Sequence, residues 1–126
     1  MPDTQPAIRV TALPADANAY GDIFGGWLMG QMDLAAGSVA SRHARGRAVT
    51  VAVEGITFHR PVFVGDEVSV FARLAEVGRT SMRVEVEAWA RDRHGEDLRK
   101  VTQAVFSFVA VGPDRRPRPV PAMPAV

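Results

Sequence analysis

A single acidic residue lies within an otherwise apolar stretch of helical spacing. Asp33 follows Met32 in the run LMGQMDLAAGSVA, where apolar residues recur at steps of three and four between Leu28 and Ala40, as in an amphipathic helix. The carboxylate therefore lies at the border of the apolar stripe rather than on the opposite face. A partly desolvated carboxylate is suited to act as a general base. The alternative is an acid that is satisfied by neighbouring hydroxyl or amide donors.

Two adjacent glycines, Gly25 and Gly26, come directly before this helix. Glycine allows close approach of the backbone, and the start of a helix presents free N–H groups at the positive end of the helix dipole. Such groups would stabilise an oxyanion that forms on a carbonyl under attack. The alternative is that both glycines only allow tight packing against a sheet.

The spacing between these candidates predicts a dimer. Eight residues separate Gly25 from Asp33, about 12 Å along a helix, so one carbonyl group can hardly reach both within one chain. If both act on one substrate, Gly25 of one subunit must combine with Asp33 of another, in a two-fold dimer with paired sites. Asn18, in the preceding loop, could hold a substrate carbonyl or a water through its amide, or could instead stabilise a turn.

Further candidates could bind an anion. The tetrapeptide GRTS places Arg79, Thr80 and Ser81 at a turn between strands, where they could bind phosphate or form a plain hairpin. Arg60 and Lys100 are additional candidates. His43, His59 and His94 are scattered without the spacing of metal ligands, and there is no cysteine. We therefore expect no metal site, no disulfide and no thiol nucleophile.

Composition narrows the class of protein. The chain has 126 residues, of which 47% are hydrophobic, which fits one domain that gains from oligomerisation. A net charge of +1 argues against a nucleic-acid-binding protein. The first residues lack the features of a signal peptide, and no apolar stretch approaches the roughly 18 residues of a membrane span. We expect a cytoplasmic protein that does not interact with a membrane.

The remaining elements must position these residues. The patterns predict a short strand over residues 7–13, the helix from Gly26 to about His43, and then antiparallel strands, with Gly55 as a bulge in the first of them. Alternation is cleanest over residues 82–91. A single helix with one apolar stripe is covered most simply by one curved sheet wrapped around it, which predicts a helix that is nearly all buried.

Three segments of the chain are similar to a known family, and they are LPADANAYGDIFGGWLMGQMD, VTVAVEGITFHRPVFVGD and VGRTSMRVEVEAW. They closely resemble the YciA-like acyl-CoA thioesterases of the hotdog-fold superfamily. The resemblance runs from about Leu13 to Val111, with small departures at Ala17 and Tyr20. It implies an α+β hotdog fold, a curved antiparallel β-sheet wrapped around one long central α-helix, over residues 1–112. Five of the nine prolines follow Gly112, so we expect residues 113–126 to form a Pro/Arg-rich extended C-terminal tail.

The resemblance also implies a function. It places the catalytic acid of the family on Asp33, its loop asparagine on Asn18 and its helix-start backbone donor on Gly25 or Gly26. The family hydrolyses acyl-CoA to free acid and CoA without a metal, so we expect no cofactor, CoA being part of the substrate and product. The implied catalytic unit is a homodimer, commonly assembled into a hexamer as a trimer of dimers.

We therefore predict an acyl-CoA thioesterase in which Asp33 activates water or attacks the thioester directly. Since the nucleotide lies at the protein surface in such folds, the GRTS turn is the expected phosphate-binding segment, with Arg60 as a further candidate. One alternative is a hotdog hydratase or dehydratase, which would need a histidine in the catalytic pair. The other is a non-catalytic acyl-CoA sensor, which would gain little from a carboxylate near an anionic ligand.

Overall fold

One long helix lies at the centre of the computed structural model, which describes residues 1–124. Helix α1 spans Gly25–Ala44, in agreement with the predicted range. Its buried residues recur at the predicted steps and are Leu28, Met32, Ala35, Ala36, Ala40 and Ala44. On the other side of the helix, Leu34 is 63% exposed. The expectation of a nearly buried helix is therefore wrong for a single chain, because the sheet covers only the apolar stripe.

Five antiparallel strands form one sheet against α1. Their bounds are β1 Ile8–Thr11, β2 Ala48–Phe58, β3 Glu67–Val77, β4 Ser81–Arg91 and β5 Leu98–Ala110. The order across the sheet is β1-β3-β4-β5-β2, and every neighbouring pair is antiparallel. A short 3-10 turn, Pro14–Asp16, lies in the loop between β1 and α1. The predicted single helix and antiparallel sheet are confirmed.

Strand β4 forms the centre of the sheet. It pairs with β3 on one side and with β5 on the other, so both of its edges are hydrogen-bonded. Its residues alternate without interruption between buried and half-buried. The buried set joins the core beneath α1 and consists of Met82, Val84, Val86, Ala88 and Ala90. This is the alternation expected of a strand with one packed face.

Strand β2 lies at the edge of the sheet and is irregular. Within residues 1–124 it pairs only with β5, and the register shifts between Thr50 and Ala52 and again between Glu54 and Thr57. The second shift surrounds Gly55, whose φ of 69° agrees with the predicted bulge. Val51 is 57% exposed. An exposed, partly apolar edge strand is a surface suited to pairing with another chain.

The segment after β5 turns and packs against the domain. A turn over residues 112–116 reverses the chain direction. The Arg118 N–H then donates to the Ala110 carbonyl at 2.9 Å, and the Val120 N–H donates to the Arg79 carbonyl at 3.0 Å. The predicted tail is thus hydrogen-bonded to the end of β5 and to the β3–β4 turn, although most of its side chains are exposed. The last two residues of the predicted tail, 125 and 126, lie outside the described residues.

Candidate active site

The carboxylate of Asp33 forms a hydrogen bond with a residue of the edge strand. Asp33 lies in the middle of α1 and is half-buried, and Thr50 Oγ1 donates to its Oδ1 at 2.6 Å. This length is typical of a charge-assisted O–H···O⁻ bond. Within residues 1–124 no donor is bonded to Oδ2, so one oxygen of the carboxylate is held and the other is free.

Sequence reasoning missed Thr50. It is one of several exposed residues of β2, 17 positions from Asp33, and no motif marks it. The register shift that follows Thr50 is a local feature that could have drawn attention, because bulges often redirect a side chain beside a functional site. That shift depends on the pairing with β5, however, and cannot be read from the sequence.

Gly25 and Gly26 form the first turn of α1 and are both exposed. Their N–H groups precede the first intrahelical bonds, and neither has an acceptor within residues 1–124. A Cβ added to Gly25 would lie 3.2 Å from the ring of Phe58, whereas one added to Gly26 would meet nothing within 4 Å. The packing explanation therefore holds for Gly25 alone, while the N–H groups of both are available.

The continuous helix keeps the glycines and the carboxylate apart. Gly25 and Asp33 lie on the same unbroken α1, eight residues or about 12 Å apart along the axis. One thioester carbonyl cannot contact both groups in a single chain. The structure thus has the separation between Gly25 and Asp33 from which we predicted that one site combines residues of two subunits.

Asn18 has the turn-stabilising role that was one of its two interpretations. Its Oδ1 accepts the backbone N–H groups of Tyr20 at 2.8 Å and Asp22 at 3.1 Å. These bonds close the loop that leads into α1, as Asn side chains commonly do. The side-chain oxygen is thus occupied, and within residues 1–124 the amide nitrogen donates no hydrogen bond. Only this nitrogen is left to contact a substrate or a water.

The predicted phosphate-binding residues do not come together in one chain. Arg79, Thr80 and Ser81 lie at the β3–β4 turn, where the Ala110 N–H at the end of β5 donates to the Thr80 carbonyl at 2.9 Å. The start of β2 lies at this same end, since Ala48 pairs with Ala110. Arg60 follows the far end of β2. The full length of β2 separates Arg60 from Arg79 within one chain, and their joint role in binding phosphate stays a prediction.

A groove of about 350 Å³ lies on the outer face of the sheet, away from α1. Each of its three glutamates is in an ion pair: Glu54 with Arg83, Glu85 with Arg73 and Glu87 with Lys100. Because Asp33 lies on the other side of the sheet, this groove takes no part in the candidate site. The pairing of Lys100 with Glu87 likewise explains that lysine without an anionic ligand.

The histidines are remote from Asp33. His43 lies near the end of α1, and its Nε2 is 2.7 Å from the carbonyl oxygen of Pro121 in the tail. His59 and His94 lie in loops. In the described chain, no group of three or more His, Cys, Asp or Glu side chains could hold a metal ion. None of the helices over residues 1–124 has the length and apolarity needed to cross a membrane.

The comparisons with known proteins agree with this architecture. Residues 20–96 match the family model of the thioesterase superfamily. The chain is 59% identical to an uncharacterized acyl-CoA thioester hydrolase of Zymomonas mobilis over 97% of this chain and 82% of that protein. It is 47% identical to the acyl-CoA thioester hydrolase YciA of Escherichia coli over 96% and 94%.

A solved structure is also similar over the whole domain. The hexameric thioesterase y2039 from Yersinia pestis superposes with a TM-score of 0.91 at 43% identity, covering 98% of this chain and all of that one. Sequence and fold thus point to the same group of enzymes. The chain belongs to the thioesterase superfamily and, within it, to the YciA-like acyl-CoA thioester hydrolases of the hotdog fold.

Proposed function

We propose that the protein hydrolyses acyl-CoA thioesters to a carboxylic acid and CoA. The observation that carries this proposal is the hydrogen bond from Thr50 to Asp33, which holds one carboxylate oxygen at 2.6 Å and leaves the other free. A carboxylate held in this way can accept a proton from water or attack a carbonyl carbon. The thioesterase relatives support the choice of a thioester as substrate.

In the general-base form of this mechanism, Asp33 Oδ2 accepts a proton from a water as the water oxygen bonds to the thioester carbon. The carbonyl oxygen becomes an oxyanion, which the free N–H groups of Gly25 and Gly26 of the partner subunit stabilise. The intermediate collapses by breaking the carbon–sulfur bond, and the departing sulfur takes up the proton. In the nucleophilic form, an Asp33 oxygen attacks the thioester carbon and the carbon–sulfur bond breaks, which releases CoA as the thiolate and leaves a mixed anhydride. Water then hydrolyses the anhydride to the free acid and the Asp33 carboxylate, and a proton from that water goes to the thiolate.

Asn18 has a narrower role in this proposal than in the sequence-based prediction. Its oxygen accepts two backbone N–H groups, so it is not free to accept a hydrogen bond from the attacking water. The amide nitrogen donates instead, to the water or to the substrate carbonyl. A histidine-dependent hydratase reaction is disfavoured, because none of the three histidines contacts Asp33.

We infer that the catalytic unit is a homodimer. The separation of about 12 Å between Gly25 and Asp33 along the helix requires two subunits for one site. Strand β2 offers an exposed edge, and it also carries Thr50, so pairing of two β2 strands would place both carboxylates near the interface. Because the similar Yersinia pestis thioesterase is hexameric, we propose a trimer of such dimers. The cytoplasmic location stays a prediction.

The test compares the wild type with Asp33→Asn on a panel of short, long and aromatic acyl-CoAs, measuring release of free CoA. The substitution keeps an oxygen that can accept the Thr50 hydrogen bond but removes the base. We expect kcat to fall by about 100-fold or more, with the thermal midpoint and CoA binding unchanged.

A matched control is Asp97→Asn, which removes one carboxylate from the exposed β4–β5 loop and should leave kcat unchanged. Near-wild-type turnover by Asp33→Asn would contradict the catalytic assignment. Tight binding of acyl-CoA by the wild type without turnover would instead identify a sensor.

A further inference from the structure

Four exposed arginines without an ion pair in the described chain lie near one end of the molecule, whereas Arg60 and Arg93 lie elsewhere. Within residues 1–124, the arginines that form ion pairs with acids are Arg9, Arg73, Arg83, Arg91 and Arg99. By contrast, Arg45, Arg47, Arg79 and Arg115 are exposed and form no ion pair in that part of the chain. The nearby acid Asp114 accepts the backbone N–H of Arg116, so it is engaged with the turn of the tail.

Backbone hydrogen bonds bring these arginines together. The Val111 N–H donates to the Arg47 carbonyl at 3.0 Å, which joins the end of β5 to the start of β2. The tail turn, residues 112–116, follows directly and carries Arg115. Arg45 precedes Arg47 by two residues, at the end of α1. The cluster is therefore built from the helix end, the start of β2 and the tail.

Two adjoining grooves run between these arginines. One, of about 310 Å³, is lined by Arg45, Arg47 and Arg118 together with Val111. The other, of about 190 Å³, is lined by Arg47 and Arg115 with Val49 and Val111. They share Arg47 and Val111, and we call the two together the arginine groove. Since Val49 belongs to the edge strand β2, the groove borders the edge that we propose for dimerisation.

Arg118 lies at the carboxyl end of α1 and compensates the negative charge of this helix end. The carboxyl end of a helix is its negative end and would repel an anion. The Nη2 of Arg118 donates to the Ala44 carbonyl at 2.9 Å and its Nε donates to the Val111 carbonyl at 3.2 Å. A Cβ on Gly46 would lie 2.6 Å from Nη2, so a glycine there admits the guanidinium. Arg118 thus offsets the helix end, and Arg45, Arg47 and Arg115 stay free.

The distance to the candidate catalytic carboxylate fits a CoA thioester. Arg47 is three residues from Thr50 along an extended segment, about 10 Å, and Thr50 contacts Asp33. The pantetheine arm of CoA has about thirteen bonds between sulfur and phosphorus. At three bonds per residue, an extended polypeptide of that length spans about 15 Å. A thioester at Asp33 can therefore place its phosphates among these arginines.

We infer that the arginine groove binds the phosphate groups of the CoA part of the substrate, an inference that rests on the proposed function. Guanidinium groups bind phosphate through paired N–H donors. Arg79 lies at the same end of the sheet and extends the positive surface, whereas Arg60 lies at the other end. The Pro/Arg-rich tail then contributes to phosphate binding, because it supplies Arg115 and holds Arg118 against the helix end.

The experiment measures CoA binding by titration calorimetry, and steady-state kinetics with an acyl-CoA and the corresponding S-acyl-pantetheine, which lacks the phosphates. The variant is Arg47→Gln/Arg115→Gln, with Arg47→Gln alone as a second variant that leaves the tail turn unaltered. The matched control, Arg73→Gln/Arg93→Gln, removes two positive charges elsewhere. We expect the Kd for CoA and the KM for acyl-CoA to rise about tenfold or more in the double variant.

The same double variant should hydrolyse S-acyl-pantetheine with a kcat/KM within about twofold of the wild type, since each lost guanidinium acts only through the phosphates. A Kd for CoA that stays at the wild-type value would overturn the inference, as would an equal loss of activity on both thioesters or absence of CoA binding to the wild type. If CoA binding depends on these arginines but no thioester is hydrolysed, the proposed function fails while the arginine groove stands.

Discussion

The central strand β4 and the edge strand β2 have opposite properties. β4 is hydrogen-bonded on both edges, alternates regularly and contributes five side chains to the core. β2 is bonded on one edge, changes register twice and leaves Val51 exposed. Yet β2 carries the hydroxyl that holds Asp33. The regular strand stabilises the subunit, while the irregular one carries the hydrogen-bond donor to the proposed catalytic acid and the exposed edge that we propose for dimerisation.

The largest expected effect is on stability, and it concerns the hydrophobic core to which β4 contributes. Phe106 of β5 is 1% exposed and packs in the core. Phe106→Ala should lower the free energy of unfolding by about 3–5 kcal/mol, since it removes a buried ring and leaves a cavity. Urea denaturation measures the loss. Val51→Ala on β2 is the control, and it should change subunit stability by only about 0.5 kcal/mol; equal losses would contradict the comparison.

The second prediction concerns the chemical role of β2. Thr50→Val keeps the shape of the side chain but removes the donor to Asp33. Because the carboxylate is then no longer held in position for reaction, kcat should fall by about tenfold or more, while the thermal midpoint changes little because the bond is exposed in the single chain. Thr50→Ser restores the hydroxyl and should recover much of the rate. Full activity of Thr50→Val would show that Asp33 does not need this donor.

The third prediction separates the two glycines at the start of α1. A Cβ at Gly25 would lie 3.2 Å from the Phe58 ring of β2, while Gly26 is open. Gly25→Ala should therefore destabilise the protein by about 1–3 kcal/mol because the ring or the helix start must shift. Gly26→Ala should be neutral or stabilising by up to about 1 kcal/mol. Thermal unfolding of the two variants measures the difference, and identical midpoints would count against the Phe58 contact.

The smallest expected effect comes from removing an ion pair on the outer face of the sheet. Arg83 of β4 lies 2.9 Å from Glu54 of β2, and both side chains are well exposed. Glu54→Gln should change the free energy of unfolding by less than about 1 kcal/mol, because solvent screens exposed pairs. The difference should shrink further in concentrated salt. A large, salt-independent loss would mean that β2 depends on this pair for its position.

Local patterns predicted the elements well, for a physical reason. The steps between Leu28 and Ala40 and the alternation from Met82 to Ala90 reflect which side chains must leave water. That requirement is met within one helix or one strand, so it is visible in a short window of sequence. Gly55 was recognisable as a bulge for a similar local reason, since its φ of 69° favours glycine.

The candidate site was predicted only in part. Asp33 stood out because a charge beside an apolar stripe is locally anomalous. Thr50 did not, because its meaning depends on a contact across 17 residues that exists only once β2 has paired with β5. For the same reason Arg60 and Arg79 were predicted together, because each could bind phosphate, although the sheet places them at opposite ends of one chain.

The amino-acid sequence by itself determined the helix, the strands and the unusual acid, because each follows from the burial pattern of neighbouring residues. Only the tertiary structure decided that β2 is the edge strand, that Thr50 holds Asp33, and that the tail folds back beside Arg47. These features depend on the order in which distant strands pair. That order is set by the packing of the whole chain around α1 rather than by any one segment.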